Sequence, residues 1–130
     1  MTCYVRLAEP HEMEDLLDFI LEVFPEADVE LGEDDQVLLA EEDGKLLGFA
    51  HIIELEDKVI LQGLGVEETY RGQGVGSSLL DRMCELYDST SKPIYLKAKI
   101  SNPALELYSR YGFFIKKFGN VHVLVRKQNC

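Results

Sequence analysis

From residue 58 to residue 99 the sequence changes its periodicity twice. "KVILQGLGV" (58–66) is an apolar run, "VGSSLLDRMCELY" (75–87) sets Leu79, Leu80, Met83, Leu86 and Tyr87 on one helical face, and "PIYLKAK" (93–99) returns to strand character. Between the first strand and the helix stands "YRGQGVG" (70–76), with glycine at 72, 74 and 76. Strand, glycine loop, helix and strand together predict a βαβ crossover, which makes the two strands parallel neighbours. Glycine costs conformational entropy on folding, so three in five residues imply that something must approach this backbone closely. A glycine loop that opens a helix gathers free N–H groups and the positive end of the helix dipole at one point, which is an anion site. Two common anion loops are excluded. A P-loop requires GxxxxGK[ST] and no lysine lies here, while the dinucleotide fingerprint GxGxxG fails at Ser77 and Leu79. The pattern left is R-x-x-G-x-G, from Arg71 to Gly76.

The flanking sequence predicts an α+β arrangement. "CYVRLA" (3–8) has strand content. "EPHEMEDLLDFILEVF" (9–24) predicts a helix with Pro10 in its first turn, acids at its start, and Met13, Leu16, Leu17, Ile20, Leu21 and Phe24 as its apolar stripe. Pro25 ends it, and an acidic connection follows that has room for a short helical turn. Turn signals Asp-Gly and Glu-Asp divide the next apolar stretch into an antiparallel meander of 36–42, 45–55 and 58–66. Beyond the crossover, 102–111 predicts a helix with Asn102 as N-cap, Pro103 at its first position and Gly112 as its C-terminal cap. Two strands around a Gly-Asn turn close the chain. No linker or repeat interrupts this order, so residues 1–130 are expected to form one domain.

Charge is divided along the chain. Residues 1–57 hold 18 acidic and two basic residues, a charge of −16, whereas residues 58–130 hold 11 basic and six acidic ones, +5. The net −11 argues against nucleic acid as a partner. No apolar run reaches the length of a membrane span, and the first residues lack the basic and apolar regions of a signal peptide, so the expected location is cytoplasmic, away from membranes. Cys3, Cys84 and Cys130 show no metal-ligand spacing, which predicts reduced thiols and no metal, with Cys84 in the core.

"LGVEETYRGQGVGSSLL" (64–80) resembles motif A of the GNAT superfamily of acyl-CoA-dependent N-acyltransferases, and "NPALELYSRYGFF" (102–114) resembles its motif B, N-x-x-A-x-x-L-Y-x-x-x-G-F in loose form. The element order also resembles the GNAT topology over essentially the whole chain. The resemblance implies a mixed, mostly antiparallel central sheet of about six to seven strands flanked by about four helices. It implies acetyl-CoA as cofactor, with the coenzyme A pyrophosphate on the N–H groups of Arg71, Gly72, Gln73, Gly74, Val75 and Gly76, at the helix start that continues into Ser77, and with Arg71 adding positive charge. The pantetheine arm would pair with the backbone of Leu64 and Val66, in a gap where the fourth strand splays from the fifth; Gly63 and Gly65 within that strand are consistent with a bulge or a close approach. Tyr108 matches the motif B tyrosine that protonates the departing thiolate in many members, and Asn102 a residue that often contacts the cofactor. Tyr111 reads as structural.

Amide formation from a thioester also requires loss of the amine proton. Family members that place Glu or His on the fourth strand have no match here, since that strand offers only Gln62. His51 and Glu54 on the third strand, or water, remain as alternatives, although a histidine in "GFAHIIEL" reads more simply as surface-facing. By resemblance the first helix and the loop after it wall the acceptor side, so the acidic half would attract a cationic amine, with Glu22, Glu26 and Asp28 as candidates. The expected reaction is direct attack by a small cationic amine or a protein amine in a ternary complex, since no cysteine is placed to carry the acyl group. A protein N-terminal or lysine acetyltransferase and a non-catalytic acyl-CoA sensor are the alternatives. Homodimerisation through the closing hairpin is compatible with each.

Overall fold

The computed structural model describes residues 3–25, 31–32 and 35–127. Their strands are β1 (Tyr4–Leu7), β2 (Gln36–Glu42), β3 (Lys45–Glu54), β4 (Val59–Val66), β5 (Ile94–Lys99), β6 (Phe114–Lys117) and β7 (Val121–Arg126), and their helices α1 (Met13–Val23), α2 (Val75–Tyr87) and α3 (Leu105–Arg110). One seven-stranded sheet takes the order β1-β2-β3-β4-β5-β7-β6. Every neighbouring pair is antiparallel except β4 and β5, the pair that the crossover through α2 makes parallel. The described residues thus contain three α-helices against about four expected, and most of the acidic connection lies outside them.

Alternation in the meander sorts side chains to the two faces of the sheet. Val37 and Leu39 join Phe49 under Leu16 and Ile20 of α1, whereas Leu38, Ala40, Ala50 and Ile52 face Leu79, Leu80 and Met83 of α2. The result is three layers with a core on each side of the sheet, each buried large side chain contributing about 1.5–3 kcal/mol. Cys84 is buried on the α2 face, as its spacing predicts.

The α1 stripe is rotated from the sequence expectation. Leu16 and Ile20 are buried and Met13, Phe19 and Val23 pack beside them, but Leu21 and Phe24 are each 38% exposed. A 3-10 turn at Pro10–Glu12 precedes the helix, and Glu12 returns a carboxylate oxygen to the Glu9 N–H at 2.9 Å. Arg6 on β1 clamps Glu12 at 2.8 Å and Glu41 of β2 at 3.0 Å, which locks the helix start to the sheet edge.

The α3 helix is shorter than the 102–111 expected. Asn102 does cap, but it caps the turn ahead of the helix, its Oδ1 accepting from the Ala104 N–H at 2.8 Å. Gly112, with φ +87°, turns the chain out of the helix as predicted. No helix among the described residues is long and apolar enough to cross a membrane.

Candidate active site

Two irregularities in β4 open the sheet at its centre. Ile52 of β3 faces Leu61 while the adjacent His51 faces Gly63, so Gln62 is an extra residue and forms a bulge. On its other side β4 pairs with β5 only at Val59–Ile94 and Ile60–Tyr95. From Leu61 to Val66 the β5-facing edge of β4 has no ladder partner among the described residues, so the strands diverge toward the glycine loop. Leu64 and Val66 lie on this free edge, paired on the other side with Ala50 and Gly48. The glycines of the strand answer to packing as well as to the bulge. A Cβ on Gly65 would stand 2.6 Å from the Phe49 ring and 2.9 Å from that of Phe24, whereas one on Gly63 would meet only Phe49, at 3.6 Å.

The divergent edge leads into the loop and the start of α2. Gly72 (φ +75°) and Gly74 (φ +89°) adopt left-handed conformations that favour glycine, and a Cβ on either would meet nothing within 4 Å. Gly76 differs, because Leu107 of α3 would lie 3.2 Å from its Cβ. Two of the three alternating glycines therefore shape the loop and leave its outer side open, and the third lets α3 pack on α2. The first amide of α2 to find a backbone acceptor is that of Ser78, on the Gly74 carbonyl at 3.0 Å. The amides of Val75, Gly76 and Ser77 ahead of it stand at the unsatisfied, electropositive end of the helix.

Side chains around the loop are held in place. Arg71 donates from Nε to the Val66 carbonyl at 3.0 Å, which keeps its guanidinium where β4 meets the loop. Gln73 donates to the Thr69 carbonyl at 3.1 Å. The Tyr111 hydroxyl donates to Asp81 at 2.8 Å and lies 3.0 Å from the Ser77 carbonyl, tying α3 to the first turns of α2. Tyr108 is buried, packs edge-to-face on Phe113 with ring centroids 5.8 Å apart, and has its hydroxyl pushed up to about 12 by burial. It stays protonated at neutral pH and so keeps a proton to donate.

On the α1 side, Phe19, Glu22, Val23, Lys45, Leu46, Glu67, Glu68 and Arg71 line a cavity of about 560 Å³. Glu22 is therefore beside the site. Glu26 and Asp28 lie outside the described residues. Glu54 is at the far end of β3 from the loop, opposite Val59 and 2.8 Å from Lys92. His51 is not surface-facing; it is buried and lies 2.8 Å from Asp35, the residue just before β2. Sequence reasoning missed Asp35, since no spacing rule links it to a histidine 16 positions away.

The sequence profile of the acetyltransferase (GNAT) domain matches residues 33–114. A putative ribosomal protein bS18-alanine N-acetyltransferase of Bacillus subtilis is 31% identical over 77 residues, which are 58% of this chain and 51% of that protein. The chain thus spans about half the length of that relative. Among solved structures, the ribosomal-protein-S18-alanine N-acetyltransferase of Escherichia coli matches 99% of this chain and 96% of its own with a TM-score of 0.82 at 17% identity. The PaiA N-acetyltransferase of Thermoplasma acidophilum, in complex with coenzyme A, matches 98% of this chain and 99% of its own with a TM-score of 0.77 at 16% identity. At these identities the two structures establish the shared fold.

Proposed function

Because this chain belongs to the GNAT acetyltransferase family, we propose that residues 1–130 act as one acetyl-CoA-dependent N-acetyltransferase domain whose acceptor is a primary amine. The observation that carries this reading is the course of β4, whose free edge from Leu61 to Val66 runs directly into an electropositive helix start with two open glycine positions. In this reading the pyrophosphate takes the amides from Arg71 to Ser77, with the Arg71 guanidinium beside it. The pantetheine arm pairs with the backbone of Leu64 and Val66, and the thioester reaches the bulge at Gln62. Asn102 is spent on its own turn in this structure, so any contact of its side chain with the cofactor uses the NH₂ group that the cap leaves over.

Tyr108 faces the leaving group. Full transfer of its proton, from about 12 to a thiol near 8.5, would be uphill by roughly 5 kcal/mol, so we assign it the role of a hydrogen-bond donor to the developing thiolate. No cysteine enters the scheme. The amine attacks the thioester directly; its carbon–nitrogen bond forms first and the carbon–sulfur bond then breaks.

For the acceptor we favour the α-amine of a protein N-terminus. Two features support it: the names of the two S18-alanine acetyltransferases that this chain resembles, and the carboxylates of Glu22, Glu67 and Glu68 around the cavity on the α1 side. These carboxylates suit an ammonium group arriving from solvent. The test is acetylation of a peptide with N-terminal alanine, read by mass spectrometry against the same peptide with a blocked N-terminus and against spermidine. Acetylation confined to the free α-amine is the expected result. Spermidine as the preferred substrate would move the acceptor to small polyamines, and coenzyme A binding with no turnover would leave an acyl-CoA sensor.

A further inference from the structure

We propose that His51 is the general base of this site and that Asp35 holds it in its basic tautomer; the inference rests on the acetyl-transfer reading above. The His51 side chain is 5% exposed, and its Nε2 lies 2.8 Å from Oδ2 of Asp35, an oxygen that also accepts the Gly32 N–H at 2.9 Å. An ionised carboxylate can only accept, so Nε2 carries the hydrogen of the neutral imidazole and Nδ1 is left with its lone pair. Among the described residues nothing bonds to Nδ1. A buried ring nitrogen without a partner is costly in a merely structural histidine, and it is what a proton acceptor requires.

Its position fits that role. His51 shares a face of β3 with Phe49, the α1 face, and stands directly opposite Gly63, next to the bulged Gln62. Adjacent strands are about 4.8 Å apart, so His51 stands one strand spacing from the bulge over which the amine would be poised. The absence of a side chain on Gly63 keeps that lane clear, since a Cβ there would touch only Phe49. Val37 and Gly63, across the sheet on either side, do not titrate. Of the acids of α1, Glu14, Asp15 and Asp18 are exposed and Glu22 lines the cavity with Glu67 and Glu68, so among the described residues Asp35 is the charge bonded to the ring.

The step balances without a co-reactant. The arriving ammonium group gives one proton to water, the neutral amine attacks the carbonyl carbon, and the tetrahedral intermediate passes its surplus nitrogen proton to Nδ1. The carbon–sulfur bond then breaks, and coenzyme A leaves as a thiolate that solvent protonates. The imidazolium returns its proton to water.

The experiment is the pH dependence of kcat at saturating acetyl-CoA and alanine peptide for the wild type, His51→Gln and Asp35→Asn, with acetyl-CoA affinity measured in parallel. In the expected result His51→Gln lowers kcat about 100-fold or more and removes the acid-side inflection, while acetyl-CoA affinity is kept. Asp35→Asn retains an acceptor for Nε2–H but removes the charge that favours imidazolium, so its inflection moves to lower pH, a change that loss of packing would not produce. A His51→Gln enzyme with wild-type kcat and inflection overturns the proposal while acetyl transfer stands. Should His51→Gln not fold, an inflection unmoved in Asp35→Asn overturns it equally. A wild type that acetylates neither the peptide nor any amine fails differently, because the acetyl-transfer reading then falls and takes the base with it.

Discussion

Substituting Gly74 by alanine separates what the loop conformation costs from what the loop binds. At φ +89° an alanine is strained by about 1–2 kcal/mol. Part of that is offset, by about 0.4–1 kcal/mol, because alanine also restricts the unfolded chain. The net destabilisation is therefore about 1 kcal/mol, a fall in melting temperature of about 3–4 °C for a domain of this size. The added methyl group meets no protein atom within 4 Å, so no further cost arises inside the fold. Its effect on a ligand is separate. A phosphate displaced from the loop amides would lose a charge-assisted hydrogen bond, worth about 1.5–3 kcal/mol, which corresponds to coenzyme A binding about 10- to 100-fold weaker. Gly44 supplies the control, since it has φ +79°, an equally open Cβ position, and a place in the β2–β3 turn, outside the 70–76 segment whose amides are tested. Calorimetric titration with coenzyme A beside thermal melting reads both quantities. Equal losses of stability with affinity lost only in Gly74→Ala is the expected outcome. A Gly74→Ala protein that melts lower yet binds coenzyme A like the wild type would refute the assignment of this loop to the pyrophosphate.

Tyr108→Phe should lower kcat about 10-fold or more while acetyl-CoA affinity stays unchanged, measured by steady-state kinetics beside direct titration. Gly65→Ala drives a methyl group to within 2.6 Å of the Phe49 ring and should cost about 1–3 kcal/mol in urea denaturation, with part recovered by adding Phe49→Leu. Hydrogen bonding from Arg6 lowers the Glu12 carboxyl to about 2, below the ordinary 4.5. A lowered carboxyl stabilises the fold above the unfolded value, so this contribution is complete above pH 4.5 and is lost as pH falls toward 2. Because the pair is partly exposed its worth is about 1 kcal/mol, and Glu12→Gln should flatten the stability curve across that window, as urea midpoints at each pH would show.

Local rules made most of the frame legible. Helix spacing over 75–87 and the turn at Asp43-Gly44 are decided by neighbours in sequence, and the sheet carries both as predicted. The apolar stripe of α1 was less legible because Leu21 is as apolar as Phe19 and Val23, and only the position of the sheet decides which of them is covered. Gly63 and Gly65 announced an irregular strand, but the extra residue is Gln62, fixed by the cross-strand register with β3. The largest gap is at His51. Its burial depends on Asp35 being folded over it from a different segment, and on Gly63 opposite, contacts that alternation along β3 alone cannot reveal.

The short β4–β5 ladder has a mechanical consequence. Four strands on one side and three on the other are stitched by two residue pairs, with α2 as a brace across the seam. Such a joint is the compliant line of the sheet, where amide protons should exchange earliest. A cofactor seated along Leu61–Val66 as proposed would add rungs to this line, and at 100 times its dissociation constant would stabilise the fold by about 2.7 kcal/mol. Resistance to proteolysis would then rise and fall with the concentration of acetyl-CoA.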